Sequence, residues 1–190
     1  MTYTISEITV VQVENSKVLD FKFRVLREED FTLLYQWLNS PHITKFWPGN
    51  PSLEKVKSDY SQKLAEDFIV PYMVTLNNQS FGFIQLYWAS KVGGGWWQDI
   101  KDPDCVGIDF FIGDETNTGS GKGAEMIKAF LDFICENHRV TKVISDPSPS
   151  NPASIRCLEK AGFRNRGLID TPDGKSILME YKNLNSLNRI

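Results

Sequence analysis

Residues 116–134 read TNTGSGKGAEMIKAFLDFI, and the fold turns on what that glycine-rich start is for. Gly119, Gly121, Gly123 and Ala124 stand directly before a run that reads as a helix over Ala124 to Asn137. Backbone N–H groups at such a helix start have no intrahelical acceptor, and with the helix dipole they make a cradle for a diphosphate. Lys122 adds a point charge at the rim. A Walker A loop is excluded, because Gly121-Lys122 is followed by Gly123 where a magnesium-holding Ser or Thr is needed, and Thr116 takes the place of the earlier Gly. Gly119-x-Gly121-x-x-Ala124 matches a dinucleotide fingerprint, with Asp146 near the place of a ribose-binding acid. The turn lies so late in the chain, however, that too little remains for a doubly wound sheet. A turn whose glycines serve only the backbone stays open beside the diphosphate cradle.

The chain of 190 residues suits one domain with a sizeable core, so 1–190 is read as a single domain with residues 1–20 an N-terminal strand extension. Its 21 basic and 24 acidic side chains give a net charge of -3, which carries no global positive field for nucleic acid and suits a small cationic amine. Cys105, Cys135 and Cys157 form no CxxC pair and read as reduced thiols. No stretch approaches the roughly 18 consecutive apolar residues of a membrane span, and the N-terminus lacks a basic region followed by an apolar core; the expected location is cytoplasmic.

The order of elements narrows the fold. KVLDFKFRVL reads as a strand with Phe21, Phe23 and Val25 on one face. Arg27 to Asp30 read as the acidic start of a helix, which has Phe31, Leu34, Tyr35 and Leu38 at helical spacing and stops before Pro41. HITKFWPGNP reads as an ordered loop, and a second helix is capped by Ser52. PYMVTLNN and QSFGFIQLYWAS form a hairpin turned at Asn77-Asn78, and CVGIDFFIG is a strand beyond a long loop holding Trp96 and Trp97. After the glycine turn come the strand VTKVISD, the helix NPASIRCLEKAG closed by Gly162, and a hairpin carried by Asp173-Gly174. The sum is an α/β domain around one mixed sheet.

TGSGKGAEMIKAFLDFI followed by VTKVISDPSPSNPASIRCLEKAGF resembles the GNAT superfamily of acetyl-coenzyme A dependent N-acetyltransferases, over some residues 21–182. YQWLNSPHITKFW, GGWWQDIKDPDCVGID, DPSPSNPASIRCLEKAGF and TPDGK are similar, more narrowly, to the aminoglycoside 6'-N-acetyltransferases. The resemblance implies a mostly antiparallel central sheet flanked by helices, with acyl-CoA in a splay between two central strands, Cys105 to Gly113 and Thr141 to Asp146. It implies acetyl transfer from acetyl-CoA to a 6'-amine, which removes a charge the drug uses on RNA and confers resistance. A GNAT enzyme for another polyamine or amino sugar, and an acyl-CoA-binding module without turnover, are the competing readings.

Carried over residue by residue, the resemblance assigns Phe111, Ile112, Thr118, Gly119, Ser120, Gly121, Lys122, Gly123, Ala124 and Asn151 to the cofactor. Thr118 stands where the family has Arg or Gln, so one side-chain contact is lost while backbone donors remain. Asn151 also reads as a helix cap, with Pro152 at the first helical position. Asp109 is the expected catalytic residue, holding the acceptor ammonium and taking its proton. An isolated acid in an apolar strand is costly unless paired or functional, so a structural ion pair or a solvated edge position is its alternative. Asp146 faces the acceptor by resemblance, against an Asx turn before Pro147. Trp47, Tyr60 and Trp97 are expected at the acceptor wall, against packing in the core. Two departures stand out: Leu158 replaces the tyrosine many relatives use to protonate the CoA thiolate, and Gly94 replaces an acid before the paired tryptophans. His42 and His138 have no metal spacing and no metal is expected, while His138 reads as a dipole partner at a helix C-terminus.

Overall fold

The computed structural model describes residues 8–14, 17–47 and 49–183; the remainder of the expected N-terminal extension lies outside the described residues. In chain order the strands are β1 (Ile8–Glu14), β2 (Lys17–Val25), β3 (Ile69–Leu76), β4 (Gln79–Trp88), β5 (Cys105–Ile112), β6 (Lys142–Ser145), β7 (Arg164–Thr171) and β8 (Gly174–Lys182). The α-helices are α1 (Phe31–Leu38), α2 (Pro41–Thr44), α3 (Leu53–Ala65), α4 (Lys122–Asn137) and α5 (Pro152–Lys160). Hydrogen bonding follows the order β1-β2-β3-β4-β5-β6-β8-β7. β1–β2, β2–β3, β6–β8 and β7–β8 are antiparallel, while β5 and β6 run parallel, joined by α4 as a parallel pair requires. This is the mixed sheet that the order of elements implied, and it is mostly antiparallel as the resemblance implied.

The chain divides into two compact units: the described residues up to Gln85 with Phe110–Thr118, and Leu86–Asp109 with the described residues from Gly119 onward. In the first unit, Asn77 and Asn78 both take positive φ (51° and 63°), the geometry that a two-residue hairpin between β3 and β4 demands. Its core gathers Leu26, Phe31, Leu34, Trp37, Leu38, Ile43, Val56, Met73, Phe83 and Phe111. The buried stripe of α1 therefore uses Trp37 where the spacing had put Tyr35, which is only half-buried. The loop expected after α1 contains α2, with Pro41 at its first turn, where a missing N–H costs nothing. Ser52 caps α3 as anticipated, its Oγ accepting from Lys55 N at 3.2 Å. Asp30, read only as a helix-starting acid, is buried in a two-pronged pair with Arg24 (both N···O 2.7 Å) and also accepts from Arg27 N. Burial alone would raise its pKa, but Arg24 and the Arg27 N–H outweigh it and hold the carboxyl below its ordinary value.

In the second unit, α4 starts at Lys122, two residues ahead of the expected start at Ala124, because Gly121 turns the chain at φ 85° as its N-cap. Its buried side is Ala124, Met126, Ile127, Phe130, Phe133 and Ile134. Asn151 caps α5, accepting from Ser154 N at 3.1 Å, and Gly162 closes that helix with φ 98°. The β7–β8 hairpin turns at Pro172 and Asp173, with Thr171 paired to Gly174, one residue earlier than the sequence suggested. β6 ends at Ser145, leaving Asp146 just beyond the strand. His138, read as a dipole partner at the end of α4, is governed by burial, which lowers its pKa; Trp88 packs edge-on against it at 5.4 Å.

Candidate active site

The site builds from the way β5 and β6 pair. Their parallel register is Cys105↔Lys142, Val106↔Val143 and Gly107↔Ile144, and it stops there although β5 continues to Ile112. Two residues beyond the last pair stand Asp109 on β5 and Asp146 past the end of β6. With a side-chain period of two, Cys105, Gly107 and Asp109 share one face of β5. Cys105 and Ile144 pack with Ala89 beneath Trp97, Ile100 and Leu178. Asp109 and Asp146 are thus the residues that the register carries next to each other where the strands part.

The electrostatics agree with that placement. Burial, and then the charge of Asp109, push the Asp146 carboxyl up to about 7; Asp173 adds to the rise, while hydrogen bonds from Ser176 and its own backbone N–H oppose it. Asp146 therefore sits near half-protonation at neutral pH. Neither Asp173, in the β7–β8 turn, nor Ser176, buried on β8, stood out in the sequence as a site residue. TPDGK entered the resemblance only as a stretch; by its residue types it reads as a hairpin turn, and nothing local tells that the charge of Asp173 reaches Asp146.

Tyr87 is the larger omission. It is 6% exposed, and its ring occupies the space above Gly107: a Cβ built on that glycine would fall inside the ring. Burial, with the charges of Asp109 and Asp146 adding to it, holds the phenol well above its ordinary pKa; the Trp97 side chain hydrogen-bonds the hydroxyl and works the other way, and Cys105 adds to the rise. In QSFGFIQLYW the tyrosine alternates with apolar residues, so the sequence could not separate it from core. Trp97 is half-buried at φ 51°, packed on its apolar neighbours while reaching Tyr87. Cys105 is fully buried and its thiol is pushed up to about 11 by burial, which makes it unreactive at neutral pH.

The glycine turn presents backbone. Gly119 (φ 72°) has no atom within 4 Å of where a Cβ would sit, so a ligand can approach the main chain there. Gly123 and Ala124 are buried, which leaves only their backbone for a phosphate. Lys122 begins α4 and lies half-buried at its N-terminus. Leu158 is fully buried, so that position offers an aliphatic core side chain in place of an acid. Gly94, at φ 69°, lies exposed.

Ser120 lies exposed in the turn before α4, whereas Trp47, Tyr60, Phe111, Ile112 and Thr118 belong to the first unit. Tyr60 is 4% exposed and sits edge-on to Phe83, with Lys63 Nζ 4.6 Å above its ring. Trp47, half-buried, packs edge-on against Phe83 and Phe111. Both line a cavity of about 500 Å³ together with Leu38, Val56, Lys55 and Lys63. Phe111 is stacked on Phe83, and the Ile112 carbonyl lies 3.0 Å from His42 Nε2. The Thr118 hydroxyl donates to the Glu115 carbonyl at 2.7 Å, so it is engaged in its own turn. Among the described residues no group of three or more His, Cys, Asp or Glu is placed to hold a metal, and no helix is long and apolar enough to cross a membrane.

Comparison with known proteins follows the same lines. The model of the acetyltransferase (GNAT) domain family matches residues 27–171. The type 1 aminoglycoside N(6')-acetyltransferases of Klebsiella pneumoniae and Serratia marcescens are 37% identical over 179 residues, covering 92% of this chain and 88% of theirs. The solved structure of AAC(6')-Ib with coenzyme A and kanamycin superposes with a TM-score of 0.82 at 36% identity, covering 89% of this chain and 98% of that one. A spermidine N-acetyltransferase from Vibrio cholerae, at 16% identity and a TM-score of 0.71 over 88% of this chain and 98% of its own, shares the fold alone. A parting pair of parallel strands, a glycine-led helix start and agreement along nine-tenths of the chain place this protein among the GNAT acetyltransferases, closely related to the aminoglycoside 6'-N-acetyltransferases.

Proposed function

We propose that this enzyme transfers an acetyl group from acetyl-CoA to the 6'-amine of an aminoglycoside. The observation that carries the reading is the pair Asp109 and Asp146, with the charge of Asp173 also acting on Asp146, in a chain 37% identical to known 6'-N-acetyltransferases. Two half-buried carboxylates, with the charge of the exposed Asp173 acting on one of them, gather negative charge where the strands part, and a polycation is the ligand that relieves it.

Asp109 orients the acceptor ammonium and takes its proton as the nitrogen attacks the thioester, forming the amide as the thiolate leaves. Asp146 and Asp173 hold further ammonium groups. The backbone N–H groups of Gly119 to Gly123 and the start of α4 receive the diphosphate of the cofactor, with Lys122 adding charge. Acetyl-CoA supplies the activated acyl group. Acetylation removes a positive charge from the drug, so an abundant enzyme confers resistance. We place the activity in the cytoplasm, where acetyl-CoA and the ribosomal target of these drugs are found together.

The test is thiol release from acetyl-CoA with kanamycin, tobramycin, an analogue bearing a hydroxyl at the 6' position, spermidine and a simple amino sugar. Release with the 6'-amines and none with the 6'-hydroxyl analogue is the expected result. Turnover confined to spermidine or the amino sugar would move the acceptor assignment while leaving the chemistry in place.

A further inference from the structure

We propose that Tyr87 is a positioning residue for the Asp109 and Asp146 pair: its phenolic O–H, held by Trp97 and Gly107, donates to the pair and decides which carboxylate carries a proton. The proposal deepens the assignment of Asp109 as base and rests on it for its consequence in turnover.

Three constraints place the phenol. Only a residue without a side chain tolerates the Tyr87 ring at position 107, so the glycine is the seat of the tyrosine. Gly107 and Asp109 lie on the same face of β5, two residues apart, so a ring seated on the first lies alongside the second. The register ending at Gly107↔Ile144 brings Asp146 to the same place from the neighbouring strand. A phenol oxygen has two lone pairs and one proton; the Trp97 indole, which can only donate, takes up a lone pair and leaves the O–H free to point elsewhere. The other groups acting on that oxygen are Asp109, Asp146 and Cys105, and the buried thiol is a weak acceptor.

The phenol also stays protonated throughout the working pH range, which makes it a permanent donor and a poor proton source for a departing thiolate. It acts instead through the carboxylates. A donor aimed at one member of a like-charged pair favours ionisation there and leaves the proton on the other. The other groups around Asp146 are Ser176 on β8, whose side chain hydrogen-bonds it, and Asp173 in the hairpin turn, whose charge opposes its ionisation. An ionised Asp109 is ready to receive the proton of the amine, while Asp146 ionises as a cationic acceptor arrives.

The deciding experiment uses Tyr87→Phe, which keeps the ring over Gly107 and removes only the hydroxyl. Enzyme labelled with ¹³C at aspartate carboxyls is titrated by NMR, with Asp146→Asn assigning its resonance, and pH profiles of kcat and KM are measured by thiol release with kanamycin. The expected result is a displaced Asp146 titration, a shifted pH profile and a kcat lower by roughly ten- to hundredfold, with KM for acetyl-CoA unchanged. A Phe variant with the wild-type titration and profile overturns the proposal. The carboxyl titration does not depend on which aspartate is the base, so retained activity in Asp109→Asn alongside a displaced titration strikes the base assignment alone. Should Tyr87→Phe fail to fold, Trp97→Phe releases the hydroxyl from its anchor, and the presence or absence of the same titration shift decides.

Discussion

Strands β4 and β5 carry residues in both units, and the two places where their large side chains meet are built in opposite ways. In the first unit Phe83 of β4 stacks on Phe111 of β5 at 5.2 Å and 19°, with Trp47 and Tyr60 edge-on around them. In the second, Tyr87 of β4 covers Gly107 of β5 and lies among Trp97, Asp109 and Asp146. The first arrangement contributes to stability, because each fully buried aromatic gains about 2–3 kcal/mol from leaving water. The second works against it, since burial and a like charge lift Asp146 to about 7. Perturbed groups of this kind gather at functional sites, and the contrast separates residues that hold the protein together from those we propose act in the chemistry.

The largest effect expected on the chemical side is from Asp109→Asn, which should lower kcat/KM for kanamycin by about 10²- to 10⁴-fold with the melting temperature unchanged or raised. Undiminished turnover across the pH range would remove Asp109 from the base role. On the packing side, Phe83→Ala should cost about 3–5 kcal/mol in urea unfolding, because it leaves a cavity beneath Trp47 and Tyr60. A midpoint equal to that of the wild type would mean the ring stack is not where stability resides.

Asp146 tests the comparison through pH. Its folded pKa of about 7 lies above its ordinary 3.8, so its favourable contribution is complete below the lower value and is lost as pH rises through the upper one. Asp146→Asn should therefore flatten the fall in stability between these values and be more stable than wild type by roughly 1–2 kcal/mol at pH 8. The same ionisation should make the wild-type KM for a cationic acceptor fall as pH rises through neutrality, and the Asn variant should lack that dependence. Parallel stability curves for the two proteins would show that Asp146 does not titrate as the structure implies. The smallest effect is expected from Gly119→Ala: the positive φ should cost about 1 kcal/mol, with a weaker KM for acetyl-CoA and an unchanged KM for the amine.

Much of the fold was legible because its signals are local. The Asn77-Asn78 hairpin, the Ser52 and Asn151 caps and the Gly162 stop each follow from the chemistry of one or two residues, and each is found in the structure. The roles of single residues moved where a distant contact outweighed that chemistry. Trp37 displaced Tyr35 from the buried stripe of α1 because the core, with Phe111 edge-on to the ring at 6.2 Å, has room for an indole there. Asp30 looked like a helix-starting acid until Arg24, on the preceding strand, was placed against it.

At the site the division is sharper. The sequence by itself determined the glycine turn before α4, the isolated Asp109 in an apolar strand and the order of elements, since these depend on residue type and near neighbours. Tertiary structure alone decided that Tyr87 sits on Gly107, that Asp173 and Ser176 act on Asp146, and that Asp109 and Asp146 share a field. Alternation along a strand tells which residues share a face, but the register between β5 and β6 tells which faces meet, and register is set by contacts between residues far apart in the chain.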